Sequence, residues 1–195
     1  IAEYIEQDIS CVAIGGTAMM FLGYKTTTKD IDLVFNSEKD RKIFIKAIEK
    51  LGYKEISLKG IYDDEHRKKK GKPIMFTRSD ERFDLFVKDV FGFKIRDEFV
   101  ERNDFIGKKE LLVHILSAED LILLKAITSR DRDFEDIETI TKIEKNINWD
   151  YIVEEAISQQ NKWIVINLKE TMQKLKKITF IKEKYFQQLY NILEK

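Results

Sequence analysis

The chain has 195 residues, 43% of them hydrophobic and 36% charged, which is enough for one good core or for one domain with an appendage. Lys and Arg number 35, and so do Asp and Glu, so net charge supplies no argument for a nucleic-acid or membrane partner and any basic surface has to be local. The single cysteine, Cys11, excludes an internal disulfide, and no apolar run approaches the roughly 20 residues of a membrane span. The opening Ile1–Glu6 is not that of a secretory leader, so the expected setting is reducing and cytoplasmic.

Residues 2–9 read as a short helix leading into a strand, Cys11–Ile14, in which Cys11 is expected to be a buried structural thiol. The pair Gly15-Gly16 follows, then a short apolar helix, Thr17–Leu22, whose exit is marked by Gly23. A threonine-rich turn leads to a second strand, Asp30–Phe35. Alternate side chains of a strand share a face, so Asp30 and Asp32 point one way while Ile31 and Leu33 point the other. Two like charges on one face repel, and a divalent cation is the usual compensation. Mg²⁺ takes hard oxygen ligands from one or two carboxylates plus substrate phosphates. The two glycines, without Cβ atoms, let phosphate oxygens approach backbone N–H groups where the next helix starts. A phosphate cradle beside an acid pair suggests phosphoryl or nucleotidyl transfer.

Ser37 is placed to cap the next helix, and Phe44, Ala47, Ile48 and Leu51 carry the spacing of one buried face, closed by Gly52. Strand-like segments follow at Tyr53–Ile61, Pro73–Thr77, Arg82–Val90, Glu98–Ile106 and Glu110–Leu116. The polar loop Asp63–Lys72 contains the basic run His66–Lys70, which either grips an RNA backbone or is simply a solvated charge run. In the third strand, Phe83 and Leu85 share a face and Asp84 points to the other. If this strand lies beside Asp30–Phe35, Asp84 joins Asp30 and Asp32. Three carboxylates can hold two Mg²⁺ ions about 3.5–4 Å apart, and the third can accept the proton of an attacking hydroxyl. Otherwise Asp84 is an ordinary exposed acid on a half-buried strand. His114 alternates with apolar residues as a core or edge histidine does. Two histidines and one cysteine give no basis for a zinc site or a Cys/His nucleophile, and there is no Gly-x-Gly-x-x-Gly or P-loop signature.

From Ser117 the pattern turns helical. Ser117 to Asp120 reads as a capping box opening the helix Ala118–Ser129. Asp133–Lys145 follows with Phe134, Ile137, Ile140 and Ile143 on one side. Asn148 caps a third helix, and two more, over 162–176 and 180–194, carry the chain to its end. Lys125 lies in a helix that is apolar nearly all round. It is either a fixed cation reaching a triphosphate or acid cluster, or a lysine snorkelling at the helix edge. Asp133 and Asp136 stand at i, i+3 and pair with Lys125, Arg130 or Arg132. No repeat, low-complexity tract or linker is present. The class is α+β: a mixed half, 1–116, followed by a helical half, 117–195.

The order Gly15-Gly16-Thr17-Ala18, then Thr28-Lys29-Asp30-Ile31-Asp32-Leu33, then Arg82-Phe83-Asp84-Leu85 resembles the polymerase-β-type nucleotidyltransferase superfamily. More narrowly it is similar to AbiEii/AbiGii-type nucleotidyltransferase toxins and their small relatives. The segment Leu116–Lys125 followed by Arg132–Ile137 resembles the Ser-Pro-Glu-Asp-Leu…Lys…Lys-Asp…Asp-Ile stretch of that family. The resemblance covers roughly residues 10–145. It departs from the family at Thr26, where an arginine is usual, at Ala118 in place of proline, and at Arg132 in place of lysine.

The resemblance implies a nucleotidyltransferase-like mixed sheet with flanking helices, a catalytic domain over 1–116 and a C-terminal helical domain over 117–195. It implies metal-dependent transfer of a nucleoside monophosphate from an NTP to an acceptor hydroxyl. Some relatives modify the 3′ end of tRNA, and many work beside a winged-helix antitoxin. Asp30, Asp32 and Asp84 would be the catalytic Mg²⁺ ligands. Gly15, Gly16, Thr17, Lys29 and Lys125 would bind the nucleotide. Two alternatives stand beside an RNA (tRNA) acceptor: transfer to a small antibiotic, such as an aminoglycoside or lincosamide, and a non-catalytic nucleotide-binding or interaction module of the same fold.

Overall fold

An apolar run, Ile9–Ala13 (β1), and two segments in which acids are interspersed with apolar residues, Asp30–Phe35 (β2) and Glu81–Val87 (β5), are realised as three neighbouring strands. The computed structural model describes residues 1–56, 71–101, 105–108, 110–128 and 130–194. The basic run His66–Lys70, the end of the expected strand beyond Ile56, and Ser129 lie outside the described residues. The chain divides into two compact units, Ile1–Leu116 and Ser117–Lys195.

The first unit is built on one mixed sheet. Besides β1, β2 and β5 it contains Lys54–Ile56 (β3), Ile74–Arg78 (β4), Asp89–Val90 (β6), Phe93–Lys94 (β7), Phe105–Lys108 (β8) and Leu111–Ile115 (β9). The main order is β3-β4-β5-β2-β1-β9-β8, with β6 and β7 extending from β5 as a small ribbon. β1 runs antiparallel to β2 and parallel to β9, and β2 runs parallel to β5.

Helix α1 (Gly15–Phe21) connects β1 to β2, and α2 (Glu38–Lys50) follows β2. The Ser37 hydroxyl accepts the Asp40 N–H at 3.0 Å and so caps α2. Phe44 of α2 sits 5.2 Å from Phe35 and 5.5 Å from Phe83, ring centre to ring centre. A fully buried phenylalanine contributes about 1.5–3 kcal/mol of hydrophobic stabilisation, so α2 is fixed against the odd-numbered face of β2 and β5. The other face is left for the acids.

Three expectations are corrected. The opening segment is a single 3-10 turn, Ala2–Tyr4, rather than a helix over 2–9, because Ile9 and Ser10 already pair with Leu111 and Leu112. The strand expected over 82–90 stops at Val87: Lys88 turns to φ 54° and its N–H bonds Phe35 O at 3.0 Å before β6 begins. Of the strand expected over 98–106, residues 98–101 lie in helix α3 (Asp97–Glu101) and 105–106 in β8, and residues 102–104 lie outside the described residues. Asp97 and Glu98 lie in the first turn of α3, where the helix dipole favours acids, and Phe99 is fully buried.

The second unit is helical: α4 (Ala118–Thr128), α5 (Asp131–Ile143), α6 (Trp149–Ser158), α7 (Lys162–Leu175) and α8 (Glu183–Leu193). The Ser117 hydroxyl accepts the Asp120 N–H at 3.2 Å and donates to the Asp120 carboxylate at 2.9 Å, starting α4. The Tyr151 hydroxyl donates to the other oxygen of that carboxylate at 2.5 Å and ties α6 to α4. Asn148 caps α6 by accepting the Tyr151 N–H at 3.1 Å. Ile137 and Ile140 are buried as their spacing predicts, but Ile143 in the last turn of α5 is about half exposed. Among the described residues no helix is long and apolar enough to cross a membrane.

Candidate active site

β2 and β5 set the site by their register. Asp30 stands opposite Arg82 and Asp32 opposite Asp84, so all four side chains share one face of two adjacent parallel strands. Asp84 therefore lies on the same side as the first two acids. Its side chain is only 2% exposed, whereas that of Asp30 is 35% exposed. Arg82 is the cation among them. Its Nη2 lies 2.6 Å from Asp30 Oδ2, its Nε 2.9 Å from Asp84 Oδ1, and its Nη2 3.4 Å from Asp84 Oδ2. The sequence reading overlooked Arg82. Its position two residues before Asp84 on an alternating strand was the signal that it shares the acid face.

The turn between β1 and α1 closes on this face. Gly15 adopts φ +54°, and a Cβ built there would come within 2.6 Å of Asp32 Oδ2. Only glycine accommodates that backbone and that approach together. A Cβ at Gly16 would meet the Thr28 hydroxyl at 2.7 Å. Thr17 is buried. Its hydroxyl accepts the Asp32 N–H at 3.0 Å and donates to Asp30 O at 3.3 Å, while Thr28 donates to the same carbonyl at 2.9 Å. Thr17 was given to the nucleotide from the sequence; here its hydroxyl is committed to the backbone that carries the two acids. Lys29 is exposed just before β2.

Lys125 belongs to the second unit. It is 7% exposed, with Nζ 2.5 Å from Asp136 Oδ2 and 3.4 Å from Asp133 Oδ1. Asp133 also accepts from Arg130 Nε and from the Thr128 hydroxyl, each at 2.6 Å. Burial pushes the Asp133 carboxyl up, but the Lys125 charge and the Arg130 and Thr128 hydrogen bonds outweigh it and hold it below the ordinary carboxylate value. Of the alternatives for Lys125, the snorkelling edge lysine does not fit this burial, and its ammonium is paired with the two acids of α5. Cys11 is buried, and burial pushes its thiol up to about 12, which makes it unreactive. His114 is half-buried in β9, its ring 5.8 Å from that of Phe105.

A family model matches the chain over nearly its whole length. That model is described as "Nucleotidyltransferase of unknown function (DUF6036)" and covers residues 2–189. The chain belongs to this family. Two solved structures resemble the nucleotidyltransferase. One is ANT(2″)-Ia in complex with adenylyl-2″-tobramycin: 15% identity, 78% of this chain and 87% of that one covered, TM-score 0.48. The other is an antigenic nucleotidyltransferase-like protein from Paracoccidioides brasiliensis: 13% identity, 95% and 84% covered, TM-score 0.47. No curated protein matches.

Among the described residues of the nucleotidyltransferase, no three His, Cys, Asp or Glu side chains form a group that could by itself hold a metal ion. The donors nevertheless suit a hard divalent cation in kind. Mg²⁺ is characteristically bound through one or two carboxylates together with substrate phosphates rather than by an all-protein cage. The observed face offers carboxylate oxygens, a turn without Cβ atoms, and a cation already paired with two of the acids.

Proposed function

We propose that the first unit, 1–116, is the catalytic domain of an Mg²⁺-dependent nucleotidyltransferase that moves a nucleoside monophosphate from an NTP to an acceptor hydroxyl of RNA. The observation that carries the reading is the shared face and register of Asp30, Asp32 and Asp84 beside the Gly15–Gly16 turn. Asp30, Asp32 and Asp84 would hold Mg²⁺, which when bound neutralises phosphate charge and polarises the reacting oxygens. The triphosphate would lie over the glycine turn, where the missing Cβ atoms admit it. Thr17 and Thr28 hold the backbone of β2 and so fix where Asp30 and Asp32 present their carboxylates. Asp84 accepts the proton of the acceptor hydroxyl. The acceptor oxygen bonds to the α-phosphorus as the bond to the bridging oxygen breaks, and pyrophosphate leaves. RNA is favoured over a small antibiotic by the resemblance stated above and by the basic run His66–Lys70 in the sequence. The same resemblance extends the reading to a toxin restrained by a winged-helix partner.

The test is incubation of the protein with each labelled NTP, Mg²⁺ and either total RNA or a panel of aminocyclitol antibiotics. Asp30→Asn, Asp32→Asn and Asp84→Asn serve as variants. The expected result is label on RNA from the native protein and a loss of at least about 10³-fold in each variant. Transfer unchanged in the variants would falsify the assignment of the three acids. Label on an antibiotic and none on RNA overturns the acceptor.

A further inference from the structure

The three acids of the face have been given parts; Arg82, which pairs with two of them, has not. Its guanidinium touches Asp30 across the strand pair and Asp84 along its own strand. An arginine cannot leave such a pair by losing its proton, so it is a permanent positive charge at the place where the carboxylates would take a metal. Asp84, at 2% exposure, needs a positive partner, because a buried carboxylate left without one is strongly destabilising. Arg82 is 27% exposed, so its head group has a route to water when another cation takes over.

From these contacts we infer that Arg82 is a resident counter-cation that competes with the divalent metal for Asp30 and Asp84. It holds the acid face together in the ligand-free protein, keeps the affinity for bare metal low, and is displaced when metal arrives with the charge of a triphosphate behind it. The inference rests on the proposed function of this face and adds a residue that sets when the face loads. Arg82 acts here through the carboxylates; it is a positioning residue. Charge balance supports the arrangement: the guanidinium cancels one negative charge, whereas a divalent ion brings two. Exchange of one for the other is therefore favoured most when the phosphates supply further negative charge.

The experiment reads metal binding rather than turnover. Mn²⁺ alone is titrated into the full chain, free ion is followed by its electron paramagnetic resonance signal, and thermal unfolding is recorded with and without the ion. Arg82→Met is expected to bind Mn²⁺ roughly tenfold more tightly than the native protein, since two charge-assisted contacts no longer compete. Without metal it is expected to unfold at a lower temperature, and saturating Mn²⁺ should raise its melting point by more than it raises that of the native chain. Mn²⁺ affinity that is unchanged or weaker in Arg82→Met, together with a clear loss of binding in Asp30→Asn, overturns the role of Arg82 and leaves the proposed function standing. No Mn²⁺ binding by Arg82→Met overturns this inference and leaves the proposed function, in which metal arrives with the triphosphate, to the label-transfer test. Tighter binding that is indifferent to Asp30→Asn places the ion elsewhere and overturns the inference as well. Should Arg82→Met fail to fold, Arg82→Lys decides. It keeps the charge but loses the two-pronged grip, so a smaller gain in Mn²⁺ affinity is expected, and none overturns the inference.

Discussion

Both units of the protein hold a basic side chain between two carboxylates, and they differ in what water can reach. In the first unit Arg82 spans Asp30 and Asp84 with a quarter of its side chain exposed and the Asp30 carboxylate about a third exposed. In the second, Lys125 lies between Asp133 and Asp136, and each of the three side chains is less than a tenth exposed. The same type of ion cluster therefore serves two ends. A cluster whose lysine and two acids are this deeply buried belongs to the core: removing one member strands charge in a low dielectric. The cluster open on one side is the one for which we infer that the cation can be exchanged. Exposure of the partners, not the number of ion pairs, separates a site from a support.

The sharpest break of that comparison is Lys125→Met. It should lower unfolding stability by about 3–5 kcal/mol, the cost of removing the cation from a buried ion pair, here the Lys125 ammonium from Asp136, while Asp133 keeps Arg130. Urea denaturation checks this, and adding Asp136→Asn to the same chain should return part of the loss. A loss no larger than that of an exposed lysine would make the cluster as open as the one around Arg82. Next in size is Gly15→Ala. The left-handed backbone there disfavours any Cβ by about 1–2 kcal/mol. The new methyl also meets Asp32 Oδ2, so melting temperature should fall moderately. Label transfer should fall by up to about 100-fold, as a displacement on the order of 1 Å at a reacting group can cause. Asp133 gives the mildest test. Its folded carboxyl lies below the ordinary value, so its stabilisation is complete above the unfolded value of about 3.9 and is lost as pH falls through the lower folded one. Urea midpoints between pH 5 and pH 2 should drop less steeply in Asp133→Asn than in the native protein.

Local chemistry made much of this legible in the sequence. The α+β class and the mixed sheet are those found, and the Ser37 and Asn148 caps and the odd-numbered apolar face of β2 sit where spacing places them. Alternation alone told that Asp84 faces away from Phe83 and Leu85. It did not tell that β5 lies parallel to β2 with Asp32 opposite Asp84, because register between strands far apart in sequence is set by the whole sheet. The same limit hid Arg82, whose pairing with Asp30 exists only through that register. Asp97–Glu101 misled for another reason. Its adjacent Phe99 and Val100 carry strand propensity, while the acids of the first turn and the burial of Phe99 favour one turn of helix. Lys125 was open between two readings because a sequence does not state which carboxylates converge on a lysine.

The parallel pairing of Ile9–Ala13 with Leu111–Ile115 has a consequence for biogenesis. During translation the first strand emerges long before its neighbour, and at about 5–20 residues per second the ribosome needs on the order of 5–20 s to deliver the later one. Until then one hydrogen-bonding edge of an apolar strand stays open to other nascent chains. High contact order of this kind makes for slow maturation, so the yield of native protein should respond to chaperone supply and to growth temperature more than its net stability alone would suggest.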